Sequence, residues 1–169
     1  MNQPLHQFFS LDHRRLEELL ERAIQDPLAI NKDLYHQFRV GLLTHIKMEE
    51  NILFPAAMKA NNNQPIPLAA KLRLDHGAIT SMMAVPPTME LIKVLKIILD
   101  QHDILEEELG GMYEICERLT KDQTDELLEK LQSITPVPLH PVNEAHFVLG
   151  AAIRALERAG YDYEALKNS

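Results

Sequence analysis

Two stretches of this chain combine a histidine with a glutamate four residues later and a second glutamate directly after it: His45-x-x-x-Glu49-Glu50 and His102-x-x-x-Glu106-Glu107. Residues four apart on a helix are neighbours about 5–6 Å apart on one face, so each stretch can present an imidazole and a carboxylate to a common point. The simple pair is weak as a motif: 8 histidines and sixteen glutamates in 169 residues give about 0.8 such pairs by chance. The longer His-x-x-x-Glu-Glu form is expected only about 0.07 times, yet it occurs twice. Each copy is preceded by a matching element, Leu11-Asp12-His13 before the first and Leu74-Asp75-His76 before the second. The sequence is thus an internal repeat in which each half contributes two histidines and one leading glutamate.

His13, His45, Glu49, His76, His102 and Glu106 all interrupt apolar seams. His13 lies between Phe9 and Leu16, His45 after Leu42, Glu49 before Ile52, His76 between Leu72 and Ile79, and His102 and Glu106 between Leu99 and Leu109. These spacings point the six residues toward a helical core. Burying a carboxylate without a partner costs several kcal/mol, so six such residues on four helices call for a shared explanation. A metal site supplies one. Four imidazoles and two carboxylates suit two first-row metal ions, and the mixed nitrogen and oxygen set favours iron or manganese over ions that prefer sulfur.

The elements that would position these residues are all helical. Apolar periodicity predicts helices over about Pro4 to Ile24, Asn31 to Ala60, Leu68 to Met83 and Thr88 to Leu119. Pro55 should kink the second or loosen its last turn. Thr88 is the expected N-cap of the fourth, and the Asn61–Pro65 stretch and Val85-Pro86-Pro87 are loops. The expected fold is all-α, an antiparallel up-down four-helix bundle over 1–120. A C-terminal extension over 121–169 should carry a short amphipathic piece at Thr124–Leu131, an extended proline-rich run and a last helix from about Asn143 to Ala159. The apolar stripe of that helix should dock on the bundle or make a homodimer with a second subunit.

Composition narrows the function. A formal net charge of −8 repels phosphate backbones and speaks against a nucleic-acid partner. No apolar stretch approaches ~20 residues, so no membrane span is expected. With one cysteine, Cys116, and no visible secretory signal, a cytoplasmic location fits best.

The pattern Asp12-His13-x-x-Leu16-Glu17, His45-x-x-x-Glu49-Glu50-x-x-Leu53-Phe54-Pro55, Asp75-His76, His102-x-x-x-Glu106-Glu107 resembles the haemerythrin-like (HHE cation-binding) domains over about residues 5 to 117. The resemblance implies two non-haem iron ions joined by an oxo or hydroxo group. His13 and His45 would bind one ion, His76 and His102 the other, with Glu49 and Glu106 as bridges. Oxygen-carrying members have a fifth histidine one turn before the third-helix ligand, where this chain has Leu72. The sequence therefore looks like the four-His, two-Glu branch, linked to iron or oxygen sensing, nitric-oxide responses and repair of iron–sulfur centres. The expected function is binding of a small diatomic ligand, O₂ or NO. Alternatives are an enzyme-like role in NO or peroxide reduction or iron-centre repair, and a metal-braced structural or storage protein.

The remaining polar residues have plainer readings. Glu17, four residues after His13, reads as a surface acid with a seventh ligand as the alternative, and Asp12 and Asp75 read as surface acids. Glu50 and Glu107 read equally as solvated acids or as partners of the ligand histidines. His6, His36, His140 and His146 read as non-ligands, the methionines as core filler, and Tyr113 as core packing with pocket lining as the alternative.

Overall fold

The computed structural model describes residues 2–169, and among them it is all helical. Helix α1 (Pro4–Ala23) starts with proline in its first turn, where a missing N–H costs nothing, and buries Leu5, Phe9, His13, Leu16 and Leu20 along one stripe. Helix α2 (Lys32–Met48) is capped by the Asn31 side chain, which accepts from the Leu34 N–H. It runs without a break through a π-helical turn at Glu49–Leu53 into α3 (Phe54–Ala60). The wide turn sits just ahead of Pro55, which has no N–H to donate and whose ring crowds the preceding turn. The distortion is thus a π-bulge ahead of the proline, with Glu49 at its start, and the last turn of the helix stays regular.

Helices α4 (Ala69–Met83) and α5 (Met89–Glu107) follow, the second capped as expected by Thr88, whose hydroxyl accepts from the Leu91 N–H. The fourth predicted helix does not continue to Leu119. It breaks at Glu108–Gly111 and restarts as α6 (Met112–Leu119). Gly110 lies at φ +79°, which a side chain resists, and a Cβ on Gly111 would meet three backbone carbonyls at 2.8 Å. Leu109, expected on the apolar seam, is left almost fully exposed at the break.

A single 3₁₀ turn leads to α7 (Thr124–Gln132), followed by an extended proline-containing run, α8 (Phe147–Arg158) and a short α9 (Tyr163–Lys167). The last predicted helix starts four residues late. Asn143 caps a tight turn instead, accepting from Ala145 N–H while its own N–H donates to Ala84 O. Val148, Ala152, Ala155 and Leu156 of α8 share a core with Ala78, Ile79 and Met82 of α4.

Two apolar cores result, and the four long helices each pass through both. Leu5 and Phe9 of α1, Met48 at the end of α2, Leu53 of the π-helical turn and Leu72 of α4 lie in one core together with α6 and α7, and the partly buried Leu105 of α5 packs against it. Leu16 and Leu20, Leu42, Ile79 and Met82, and Leu95 and Ile98 lie in the other. On every one of these helices the predicted site residue falls where the chain crosses from one core to the other. No described helix is long and apolar enough to cross a membrane.

Candidate metal centre

The layer between the two cores is polar. His13, His45, Glu49, His76, His102 and Glu106 are all buried, the two glutamates completely. Their donor atoms form two overlapping groups, His13, His45, Glu49 and Glu106 on one side and Glu49, His76, His102 and Glu106 on the other. The six residues singled out in the sequence are thus brought together at one place.

Each glutamate divides its two oxygens between the groups. Glu49 Oε1 is 3.3 Å from His45 Nε2, while its Oε2 is 3.1 Å from His76 Nε2. Glu106 Oε2 is 3.4 Å from His13 Nε2, while its Oε1 is 3.0 Å from His102 Nε2. The two imidazoles on the second side meet at 3.1 Å between Nε2 atoms. Donors in cis positions on an ion at about 2.1 Å stand about 3 Å apart, and the observed separations cluster at that value. Two of the carboxylate oxygens, Glu49 Oε2 and Glu106 Oε1, have no well-aligned hydrogen-bond donor among the described residues. Buried oxygens left in that condition are costly unless a cation faces them.

Every histidine of the set points Nε2 inward because its Nδ1–H is held by a carboxylate. His13 donates to Glu107 at 2.5 Å, His45 to Asp12 at 2.9 Å, His76 to Glu50 at 2.7 Å and His102 to Asp75 at 3.1 Å. Such partners fix the tautomer and ring orientation of metal-binding histidines and raise their basicity. The arrangement follows the sequence repeat: each Asp supports the second histidine of its own half, and each second Glu supports the first histidine of the other half. Asp12, Asp75, Glu50 and Glu107 are therefore site residues, although Asp12 and Asp75 read as surface acids. Asp75 is fully buried and also accepts from Lys71 Nζ at 2.6 Å.

The electrostatics ask for positive charge. Burial works against a charged His13, yet Glu106 and Glu107 outweigh it and push the imidazole up to about 11. The same contest raises His76 to about 12 through Glu106, Glu49 and Glu50, and His102 to about 9 through Glu106 and Asp75. Burial likewise opposes an ionised Glu106, but His102, His13 and His76 hold it well below the usual carboxylate range. Protons do here what a metal cation would do better, because both neutralise the shared carboxylates.

One hydroxyl joins the cluster. Tyr113 Oη, fully buried, lies 2.6 Å from Glu49 Oε1, 2.9 Å from Glu106 Oε2, 3.1 Å from His13 Nε2 and 3.2 Å from His45 Nε2. It arrives there because the chain turns at Gly110–Gly111, so α6 packs back against α5 and α1. On an unbroken helix the seven residues from Glu106 would carry it about 10 Å along the axis. A cavity of about 50 Å³ lies beside His13, lined by Leu16, Leu42, Leu99 and Asp103 among others.

Glu17 is half exposed and paired with Arg14. His6, His36, His140 and His146 belong to none of the candidate metal groups, and His6 instead meets the Glu107 carbonyl.

Residues 5–85 match the family model of the Hemerythrin HHE cation binding domain. Over residues 5–85 the chain is haemerythrin-like. The match takes in His13, His45, Glu49 and His76 and stops before α5, so His102 and Glu106 rest on the geometry just described. Four histidines and two glutamates are consistent with the four-His, two-Glu branch. Searches of curated proteins and of solved structures gave no match. The family and the buried cluster together mark the chain as a cation-binding protein.

Proposed function

We propose that this chain is a non-haem di-iron protein that binds a small diatomic ligand, O₂ or NO, with His13, His45, Glu49, His76, His102 and Glu106 as its metal ligands. The observation that carries this reading is the shared pair of carboxylates. Glu49 and Glu106 each face one histidine pair with one oxygen and the other pair with the other oxygen, as bridging ligands between two ions would. The orphaned Glu49 Oε2 and Glu106 Oε1 fit a cation on the His76–His102 side. The nitrogen and oxygen donor set suits iron.

Two irons so held would supply redox-active positions for a diatomic ligand. The protein's part is to orient and to exclude water. Glu107, Asp12, Glu50 and Asp75 keep the four Nε2 lone pairs aimed inward, and the apolar cores above and below shut bulk solvent out. Asp103 borders the cluster beside His13, 3.6 Å from its Nε2, and in the metal-free protein burial and Glu106 raise it to about 6 against the pull of His13. The small volume of the cavity beside His13 favours a diatomic over an organic substrate.

The same reading takes the long helices as alternately up and down. α1 runs from the core containing Phe9 to the core containing Leu16, α2 runs back, α4 repeats the first direction and α5 the second. It also takes residues 1–120 as the bundle and 121–169 as an extension.

Anaerobic reconstitution of untagged protein with ferrous iron, followed by iron analysis and optical spectra on adding air and then NO, tests the proposal. Two irons per chain and a spectral response to NO are expected. His45→Ala should lose metal and stability together, and His140→Ala should lose neither. Equal iron retention in wild type and both variants would remove the assignment.

A further inference from the structure

The two sides of the cluster are not equivalent. Around Glu49 Oε2 and Glu106 Oε1, beside His76 and His102, the carboxylate oxygens have no well-aligned hydrogen-bond donor among the described residues. Around Glu49 Oε1 and Glu106 Oε2, beside His13 and His45, the hydroxyl of Tyr113 fills the corresponding place. Its four neighbours are all metal-donor atoms, at 2.6, 2.9, 3.1 and 3.2 Å.

A hydroxyl has one proton to donate. It cannot satisfy two carboxylates at once, so as a hydrogen-bonding group Tyr113 leaves one close oxygen–oxygen contact without a proton. As a metal donor it leaves none, because about 3 Å is the normal spacing between neighbouring donors on one ion. The oxygen stands where a vertex of the coordination shell would lie. The phenol ring is locked against Phe9 by stacking at 5.1 Å between centroids. The backbone that delivers it is fixed by the tight packing of Gly111 against three carbonyls.

We infer that Tyr113 is a further metal ligand, a phenolate on the ion held by His13 and His45. This rests on the di-iron reading above. When the bond forms, Tyr113 Oη supplies both electrons, its O–H bond breaks and the proton leaves to solvent; no oxidation state changes. The ion beside His13 and His45 then has five protein donors, Glu49 and Glu106 included, against four beside His76 and His102. The pair is chemically unequal although the sequence repeat that builds it is nearly symmetric.

Phenolate on ferric iron gives a visible charge-transfer band whose resonance-Raman spectrum contains tyrosine ring modes. The test is to load the full chain anaerobically with ferrous iron, oxidise it in air, and compare wild type, Tyr113→Phe and Tyr35→Phe. Tyr35 is a buried tyrosine elsewhere in the core, so its variant controls for loss of a phenol. With spectra normalised to bound iron, the expected result is the band present in wild type and Tyr35→Phe and lost in Tyr113→Phe, whose iron content is equal or lower; a band retained per iron in Tyr113→Phe would overturn the assignment. If Tyr113→Phe does not fold, wild type grown with ring-deuterated tyrosine decides, since the enhanced modes must shift. Two irons per chain with no such band would overturn the ligand role of Tyr113 and leave the di-iron reading standing. Failure of wild type to hold iron at all would overturn both.

Discussion

Replacing Asp75 by asparagine changes one charge and almost no volume at a fully buried position. The native carboxylate accepts from His102 Nδ1 at 3.1 Å through one oxygen and from Lys71 Nζ at 2.6 Å through the other. An amide can keep one acceptor only, and its NH₂ must then face the second donor. Lys71 can yield, since its side chain is partly exposed and already donates to Ala159 O at 2.8 Å. The fold should survive. What is lost is the anion behind His102.

Removing such a partner weakens metal binding by about 10–100-fold, which is about 1.4–2.7 kcal/mol at 1.36 kcal/mol per decade. A hydrogen bond to a charged group is worth roughly 1.5–3 kcal/mol, so two independent routes give the same range. The loss should fall on the His76–His102 position alone, because Glu107 and Asp12, which hold His13 and His45, are untouched. Anaerobic calorimetric titration of the metal-free protein with Mn²⁺ should show one binding step weakened and the other preserved, and Glu107→Gln should weaken the opposite step. NMR titration should show the His102 imidazole moving down from about 9, since Asp75 is one of the groups that raise it. Unchanged affinity at both steps would show that Asp75 does not tune the His76–His102 position. So would equal loss at both steps together with a lowered melting temperature, which would make Asp75 a tie of the bundle only.

Metal-free protein should be most stable between about pH 4.5 and 6.5. The raised histidines His13, His76 and His102 contribute fully below 6.5, and their contribution is lost as pH climbs through about 9 and on toward 12; the lowered Glu49 and Glu106 contribute above 4.5 and lose it on acidification. Calorimetric melting across pH checks this, and a melting temperature that rises from pH 6.5 to 9 would contradict it. Gly111→Ala should cost on the order of 1–3 kcal/mol, because its Cβ would meet the carbonyls of Leu105, Glu106 and Glu108 at 2.8 Å. Thermal melting should fall by several degrees, and an unchanged melting curve would show that the α5–α6 turn is not rigid.

The six cluster residues were legible because charge on an apolar seam is expensive, and because the same seam positions recur in both halves of the chain. Their supporting carboxylates were harder to see. Asp12 and Asp75 each sit one residue from a cluster histidine, about 100° around the helix, a direction that periodicity reads as leaving the core. Their partners lie on other helices, and spacing along one helix says nothing about those. The repeat did hold the signal, since Asp precedes the first histidine and Glu follows the leading Glu in both halves. Tyr113 was obscured for a different reason. Leu109, Met112, Tyr113 and Cys116 continue the apolar spacing of α5, so the periodicity ran through Gly110–Gly111 and hid the turn that carries Tyr113 into the cluster. The π-helical turn at Glu49–Leu53 was signalled only by Pro55, and α9 is a single short turn capped by Asp162.

The exchange of supports between the two halves decides how binding and folding are coupled. Had each half been self-sufficient, with both carboxylate partners on its own hairpin, either could present its histidines without the other. Instead Glu50 orients His76 and Glu107 orients His13, so neither half is complete until the hairpins meet. Glu49 and Glu106 add to this, since each must face histidines of both halves. Closing the bundle without cations therefore concentrates six carboxylates around four imidazoles, a balance that holds only while the imidazoles keep their protons. Cations that enter release those protons and neutralise the same carboxylates, so affinity must fall on acidification. Metal binding and the closing of the two halves are then coupled, each favouring the other. Asp75→Asn touches only a support within one hairpin, whereas Glu107→Gln touches one between hairpins. The second should slow or loosen closure as well as weaken one ion, which distinguishes an assembled site from two adjacent ones.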